Sequence, residues 1–410
     1  MIKLIISFHL FLVSFWAFFH TNKLEKQSSI SDITICHSSI EETLNYNPDD
    51  STKAYSMPLL AQTPKGDVML SWTEKDPQGV ISFCLAFSKD KGKTFGEKKT
   101  IYSGTGINNS RMMRAKVLAK RDGSFVAVFS NRGEGGGRSS NIVYCVSKDG
   151  GSTWTSPVSV DSDPKQGIVR GFFDAIVMSN DEVAVVYLKD VANSTKHEER
   201  DLRMVTTKNG LFLPERVIDP VVCDCCPINM LIDADGALNV VYRDNNDNIR
   251  DMAKIVSTDN AETFSKSQIL YNDQWKINGC PHSGAVSSIS AKSALFAWFS
   301  GSEKESGIRL VTNEGKKLLV LSDASAKNPY LIDAPKTSLM LWEQNVGENN
   351  TSKIAYRKIN NGKVSETVWL NDSSNGTNTV ALGLGNQVLV AYEVKQANKK
   401  NSIKISTVNL

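Results

Sequence analysis

The chain has 410 residues, of which 40% are hydrophobic and 22% charged, and its formal net charge is +3. So small a basic excess argues against a general nucleic-acid binder, and no basic run is interleaved with aromatics. The length admits one large β domain or two ordinary ones. Lys3 precedes an apolar stretch over residues 4–19, followed by His20 and Lys23. A short charged region before an apolar core is the pattern of a secretory leader. The stretch falls short of the ~20 residues that span a bilayer, and no small-x-small cleavage site follows, so an uncleaved anchor stays open. Residues 1–22 are therefore read as a signal peptide or N-terminal anchor, and it supplies the only membrane contact expected. The rest is expected to be secreted or periplasmic, where disulfides can form. Residues 23–55 form an N-terminal segment with a strand-like stretch at 31–36, and residues 56–410 form one further domain.

From residue 56 onward, strand-like runs recur roughly every 8–14 residues, separated by Gly, Asn and Asp turns. A short motif punctuates them. Ser88, Asp90, Gly92, Thr94 and Phe95 recur as Ser147, Asp149, Gly151, Thr153 and Trp154. A worn copy keeps Ser257, Asp259, Thr263 and Phe264 but has Ala261 at the glycine position. Asp and Ser/Thr side chains can bond their own backbone in a tight turn, and glycine permits positive φ. The motif S-x-D-x-G-x-T-(W/F) resembles the Asp box, or BNR repeat, of sialidase-like β-propellers. Degenerate turns near Asn209, Asn313, Asn360 and Thr407 extend the beat to about one unit per 47–60 residues, the range of propeller blades.

Each unit reads as four strands, most clearly at 229–233, 237–243, 249–257 and 266–271. Six full units run to about residue 370, and a three-strand remainder covers 378–408. An N-terminal strand at 31–36 would complete the remainder and close the ring. The expected fold is all-β, a propeller of seven blades, with six as the alternative because sialidases have six. In a propeller the boxes, as third-to-fourth strand turns, lie on the bottom. Links between blades and between second and third strands lie on the top, so the boxes read as structural.

Two cysteine loops fall on top-face links of adjacent units. One is Cys223-Asp-Cys225-Cys226-Pro227, and the other runs from Trp275 to Gly279-Cys280-Pro281-His282. Two chemistries are open. A disulfide from Cys280 to one of the first three would staple two blades, whereas a bond between the adjacent Cys225 and Cys226 would be strained. Alternatively, thiolates with His282 would hold a soft metal, copper or zinc. Three thiols within four residues exceed what a staple needs. Between the loops, Tyr242-Arg243-Asp244 and Arg250-Asp251 flank a turn. A symmetric hairpin would set Arg243 opposite Arg250, a repulsion that Asp244 and Asp251 would offset. The two guanidiniums would otherwise grip a carboxylate or phosphate, with Trp275 beside them.

Other top-face segments carry weaker signals. The glycine-rich stretch 131–138 lacks phosphate-loop spacing, and 190–200 reads as a polar surface loop. Cys84 and Cys145 fall in third strands as buried thiols, and Cys36 stands apart. The resemblance to sialidases implies three arginines holding a sugar carboxylate, a Tyr/Glu nucleophile pair and an aspartate acid/base. This chain departs from that pattern: Tyr55-Ser56-Met57-Pro58 stands where an Arg-Ile-Pro motif is expected, and no Tyr/Glu pair is found. The C-x-C-C loop, the Tyr-Arg-Asp hairpin and the Gly-Cys-Pro loop are similar to those of a bacterial extracytoplasmic subgroup of BNR-repeat proteins. The function expected is a non-sialidase propeller whose Cys/Arg site binds a soft metal or an anionic, glycan-type ligand. An exo-sialidase with a diverged arginine clamp, and a disulfide-stapled interaction scaffold, are the alternatives.

Overall fold

The computed structural model describes residues 43–47, 52–132, 140–161, 170–191, 199–290, 293–333, 337–396 and 400–410. These residues form seven antiparallel sheets, each a blade. Blade one contains Ala54–Gln62, Val68–Lys75, Ile81–Ser88 and Lys99–Gly104. Blades two and three cover residues 116–159 and 170–222. Blade four contains Asn229–Ile232, Leu238–Arg243, Met252–Ser257 and Gln268–Ile269, each within a stretch read from sequence. Blades five, six and seven cover residues 286–321, 326–369 and 376–409. The blade count is therefore seven rather than six. The strand Thr43–Tyr46 pairs with Asn401–Asn409 and completes blade seven, so the two ends of the ring share one sheet. The 31–36 stretch expected in that role lies outside the described residues, as do residues 1–22, Cys36, 133–139 and His197. Thr407, expected in a turn, instead lies within the strand Asn401–Asn409, paired with Leu389.

The core is not one mass but seven seams. Each large apolar cluster draws its residues from two neighbouring blades. A second strand thus has both faces covered and reads as a continuous apolar run, such as Val183–Asp190 with the sequence VAVVYLKD, not as an alternation. Each second strand also carries one deeply buried aromatic near its top end. These are Trp72, Phe129, Tyr187, Tyr242, Trp298, Trp342 and Tyr392. That sevenfold repeat is present in the sequence beside the three boxes.

The boxes close as their chemistry requires. Ser88 donates to Asp90 at 2.7 Å and accepts from the Gly92 amide at 2.8 Å, and Asp90 accepts from the Thr94 amide at 2.9 Å. The same bonds form around Asp149 and Asp259. Phe95, Trp154 and Phe264 pack against the seams with the preceding blade, so each box pins a turn and wedges two blades together. At the worn copy Ala261 takes φ +66°, a conformation that costs an L-residue what glycine avoids.

Four innermost strands bulge at the same place. Met57, Phe172, Asn328 and Asn378 adopt φ of +51° to +54°, each at a register shift. A bulge re-aims the side chains beside it. Here the bulges ring the top of the channel.

Candidate metal centre

The cysteine loop 223–227 joins Arg216–Val222, the outer strand of blade three, to the inner strand of blade four. The Cys223 amide donates to the Arg243 carbonyl at 3.1 Å, which ties the loop to the end of a second strand. The second loop leads from blade four to blade five and is pinned to the 244–251 hairpin. The Arg250 amide donates to the Trp275 carbonyl, and the Ile277 amide to the Asn248 carbonyl, both at 2.9 Å. The Asp251 carboxylate accepts from the Gln274 and Trp275 amides at 2.9 and 3.0 Å. The two loops meet at Gly284, where an added Cβ would lie 2.3 Å from the Pro227 carbonyl oxygen. Glycine alone permits that approach.

The approach brings the four thiols and the imidazole together. Ligand atoms of Cys223, Cys225 and Cys226 lie within 4.8 Å of one another, and so do those of Cys225, Cys280 and His282. The first set is buried, with Cys223–Cys225 and Cys223–Cys226 sulfur separations of 3.9 and 3.3 Å. Cys280 and His282 are exposed. Cys225 belongs to both sets. Close contact with the Cys225 and Cys226 sulfurs holds the Cys223 thiol below its usual range, with the Arg250 guanidinium adding to the effect. Burial pushes the Cys226 thiol up to about 12, and the bonded sulfurs of Cys223 and Cys226 drive Cys225 upward. Three sulfurs this close form a soft donor group that gains by exchanging protons for a cation. Cys84 and Cys145 differ: each is buried in a third strand, and burial pushes each thiol up to about 12.

The hairpin between the loops corrects the expected arginine pair. Arg243 lies across from Met252, not Arg250. The tip is the two-residue turn Asp247-Asn248, with φ of +51° and +66°, the left-handed pair of a type I′ hairpin. A tip centred one residue earlier, at 246–247, would be needed to oppose the arginines. Nor do the arginines form an open anion clamp, since each is 1% exposed. Arg243 donates to the carbonyls of Ser283, Arg250 and Phe299 and to the Ser283 hydroxyl. Its guanidinium lies 4.8 Å from the ring centroid of Trp275, and Trp275 is buried beneath it rather than offered to a ligand. Arg250 donates to Cys223 Sγ at 3.3 Å and Asp224 Oδ1 at 3.1 Å. The carboxylate that offsets Arg250 is therefore Asp224, while Asp251 holds the loop and Asp244 accepts from Asn245 and Asn246 at the tip.

Three positioning residues were not singled out in the sequence. Asp224 could have been, since it lies inside the cysteine loop. Gly284 shows its role only once the two loops are seen together. Phe172, at the blade-three bulge, packs against the three buried cysteines and stacks on His282 at 6.5 Å and 16°; no local pattern marks it. His282 also lines a cavity of about 480 Å³ at the channel mouth, with Arg111, Arg114, Tyr330 and Glu343.

Among the described residues, a ring of seven four- or five-stranded sheets with almost no helix is the architecture of a β-propeller. Similar solved structures include a protein of unknown function from Dyadobacter fermentans DSM 18053, at 12% identity and TM-score 0.54, covering 91% of this chain and 98% of that one. The intramolecular trans-sialidase from Ruminococcus gnavus, solved with oseltamivir carboxylate, is 9% identical with TM-score 0.53, over 90% and 97% of the two chains. The phage phi92 endosialidase is 8% identical with TM-score 0.51, over 91% and 69%. No protein-family model and no curated protein matches the chain. At such identities the likeness is one of fold, and function must be argued from the site.

Proposed function

We propose that this chain is an extracytoplasmic, non-sialidase member of the sialidase-like propellers whose top face binds a soft metal ion, copper or zinc. The reading rests on one observation: two overlapping three-ligand sets that share Cys225. Thiolate and imidazole donors select copper(I) and zinc over harder ions. Asp224 and Arg250 beside the sulfurs supply the outer hydrogen bonds that orient such ligands. The similarity to the bacterial subgroup with C-x-C-C and Gly-Cys-Pro loops belongs to this reading, as does export by the 1–22 leader.

The competing reading is a staple between blades, favoured by the Cys225 and Cys280 sulfurs lying within 4.8 Å. Metal analysis of protein purified from its own compartment, with thiol titration before and after chelation, separates the two. The proposal expects bound copper or zinc and thiols that become reactive when the metal is stripped. A full disulfide complement with no metal sinks it.

A glycan-type anion is a second ligand class, and its place would be the channel mouth rather than Arg243 and Arg250. There the Arg111 side chain is 40% exposed, 3.6 Å from Glu343. The glycosidase alternative finds little support. Ser56, in the position of the first family arginine, is bonded to Thr73 and Asn109. Turnover of a fluorogenic sialoside, lost on Arg111→Ala, would restore that alternative.

A further inference from the structure

The two ligand sets differ in exposure. Cys223, Cys225 and Cys226 are 1%, 4% and 2% exposed, whereas Cys280 is exposed and His282 lines the channel-mouth cavity. Phe172 packs against the buried sulfurs and stacks on His282, so one ring borders both sets. The inner set offers three sulfurs, and no fourth Cys, His, Asp or Glu among the described residues completes it. Structural zinc sites are almost always four-coordinate, while copper(I) is satisfied by a few soft sulfurs.

We propose that copper(I) lands on Cys225, Cys280 and His282 and then moves inward to Cys223, Cys225 and Cys226, with Cys225 bound throughout. This deepens the soft-metal reading and rests on it. The ion keeps its oxidation state. Its bonds to Cys280 Sγ and the His282 ring nitrogen break as bonds to Cys223 Sγ and Cys226 Sγ form. Any protons displaced from Cys223 and Cys226 as their sulfurs bind pass to the vacated Cys280 thiolate or to water. Sharing one ligand means the ion is never bare, which keeps the step free of full desolvation and resolvation. Phe172 holds the imidazole at the mouth, and Gly284 holds the two loops at transfer distance.

The test uses the full chain, reduced and free of oxygen, loaded from a copper(I)–acetonitrile complex against a copper(I)-selective chelator. Wild type is expected to reach a sulfur-only metal shell by X-ray absorption. Cys280→Ser and His282→Ala, both at exposed positions, are expected to reach the same shell and affinity but to load about tenfold more slowly or worse. Cys226→Ser is expected to lose at least about tenfold in affinity while keeping the fast first phase. Wild-type loading rates in both outer variants would overturn the relay while leaving the metal centre standing. Nitrogen in the final shell would place the resting ion on the outer set and overturn inward transfer. Failure of wild type to bind copper(I) would instead remove the soft-metal reading itself.

Discussion

The two ends of blade four solve opposite problems. At the bottom, the Asp259 box is exposed, short and self-contained, with every partner within four residues of the carboxylate. At the top, Arg243, Arg250 and Cys223, Cys225 and Cys226 are buried, and their partners come from blade four, blade five and two links between blades. The carboxylates record the difference. Asp90 is lowered to about 2 and Asp149 and Asp259 lower still, each chiefly by a threonine hydroxyl. Asp273, at the blade four–five link, and Glu393, at the channel, are raised by burial. A local turn is secured by hydrogen bonds to an open anion; the interior end depends on charges held away from water.

The sharpest way to break that contrast is to remove a buried charge. Arg250→Ala leaves Asp224 and Cys223 without their guanidinium and is expected to cost about 3 kcal/mol or more, read from urea unfolding. A loss below about 1 kcal/mol would mean that the top end is no more demanding than an exposed pair. A smaller effect is expected at the bottom, graded by space. At Gly92 an added Cβ would lie 2.4 Å from Leu389 Cδ2, and φ is +86°. Gly92→Ala should cost about 2 kcal/mol, through strain and a displaced core leucine. At Gly151 the nearest atom is 3.6 Å away, so Gly151→Ala should cost only the positive-φ penalty, about 1 kcal/mol. Equal losses would show that the leucine contact is irrelevant. Ala261 shows that a methyl group can be seated there when the seam makes room.

The smallest effect is in acid. A carboxylate whose folded pKa is depressed contributes stability that is present above its unfolded value, near 4, and is lost as pH falls through the folded one. The Asp90 contribution should therefore persist to about pH 2. For Glu393 and Asp273 the sign reverses: their raised values give stability that is fully present below about pH 4 and lost as pH rises through the folded pKa. Carbon-13 carboxyl titration reads both directly. Asp90 titrating near 4, or Glu393 titrating below Asp90, would undo the contrast.

The same contrast explains what the sequence disclosed. The boxes span a handful of residues, so their bonds and their blade period can be read in one dimension, and the four strands of blade four follow from them. The cysteine convergence was also legible, because knowing which links lie on top suffices to bring residues 223–226 and 280–282 together. The roles of the arginines were not. They depend on whether the hairpin turns at 246–247 or at 247–248, and only the φ of Asp247 and Asn248 decides it. An Asp-Asn pair suits a type I′ turn and could have tipped the choice. Gly284 and Phe172 act across chain separations that no local pattern encodes. The seven aromatics of the second strands were legible yet less visible than the boxes, because Trp, Tyr and Phe share the position.

The closing strand Thr43–Tyr46 also sets the order in which the ring can be made. Its partner strand runs to Asn409, so the first strand described waits for the last before it can pair. Closing so long a loop is a late, entropically slow event, of the kind that lowers folding rates. The seam between blades seven and one is therefore expected to be the last protected in pulse-labelled hydrogen exchange during refolding.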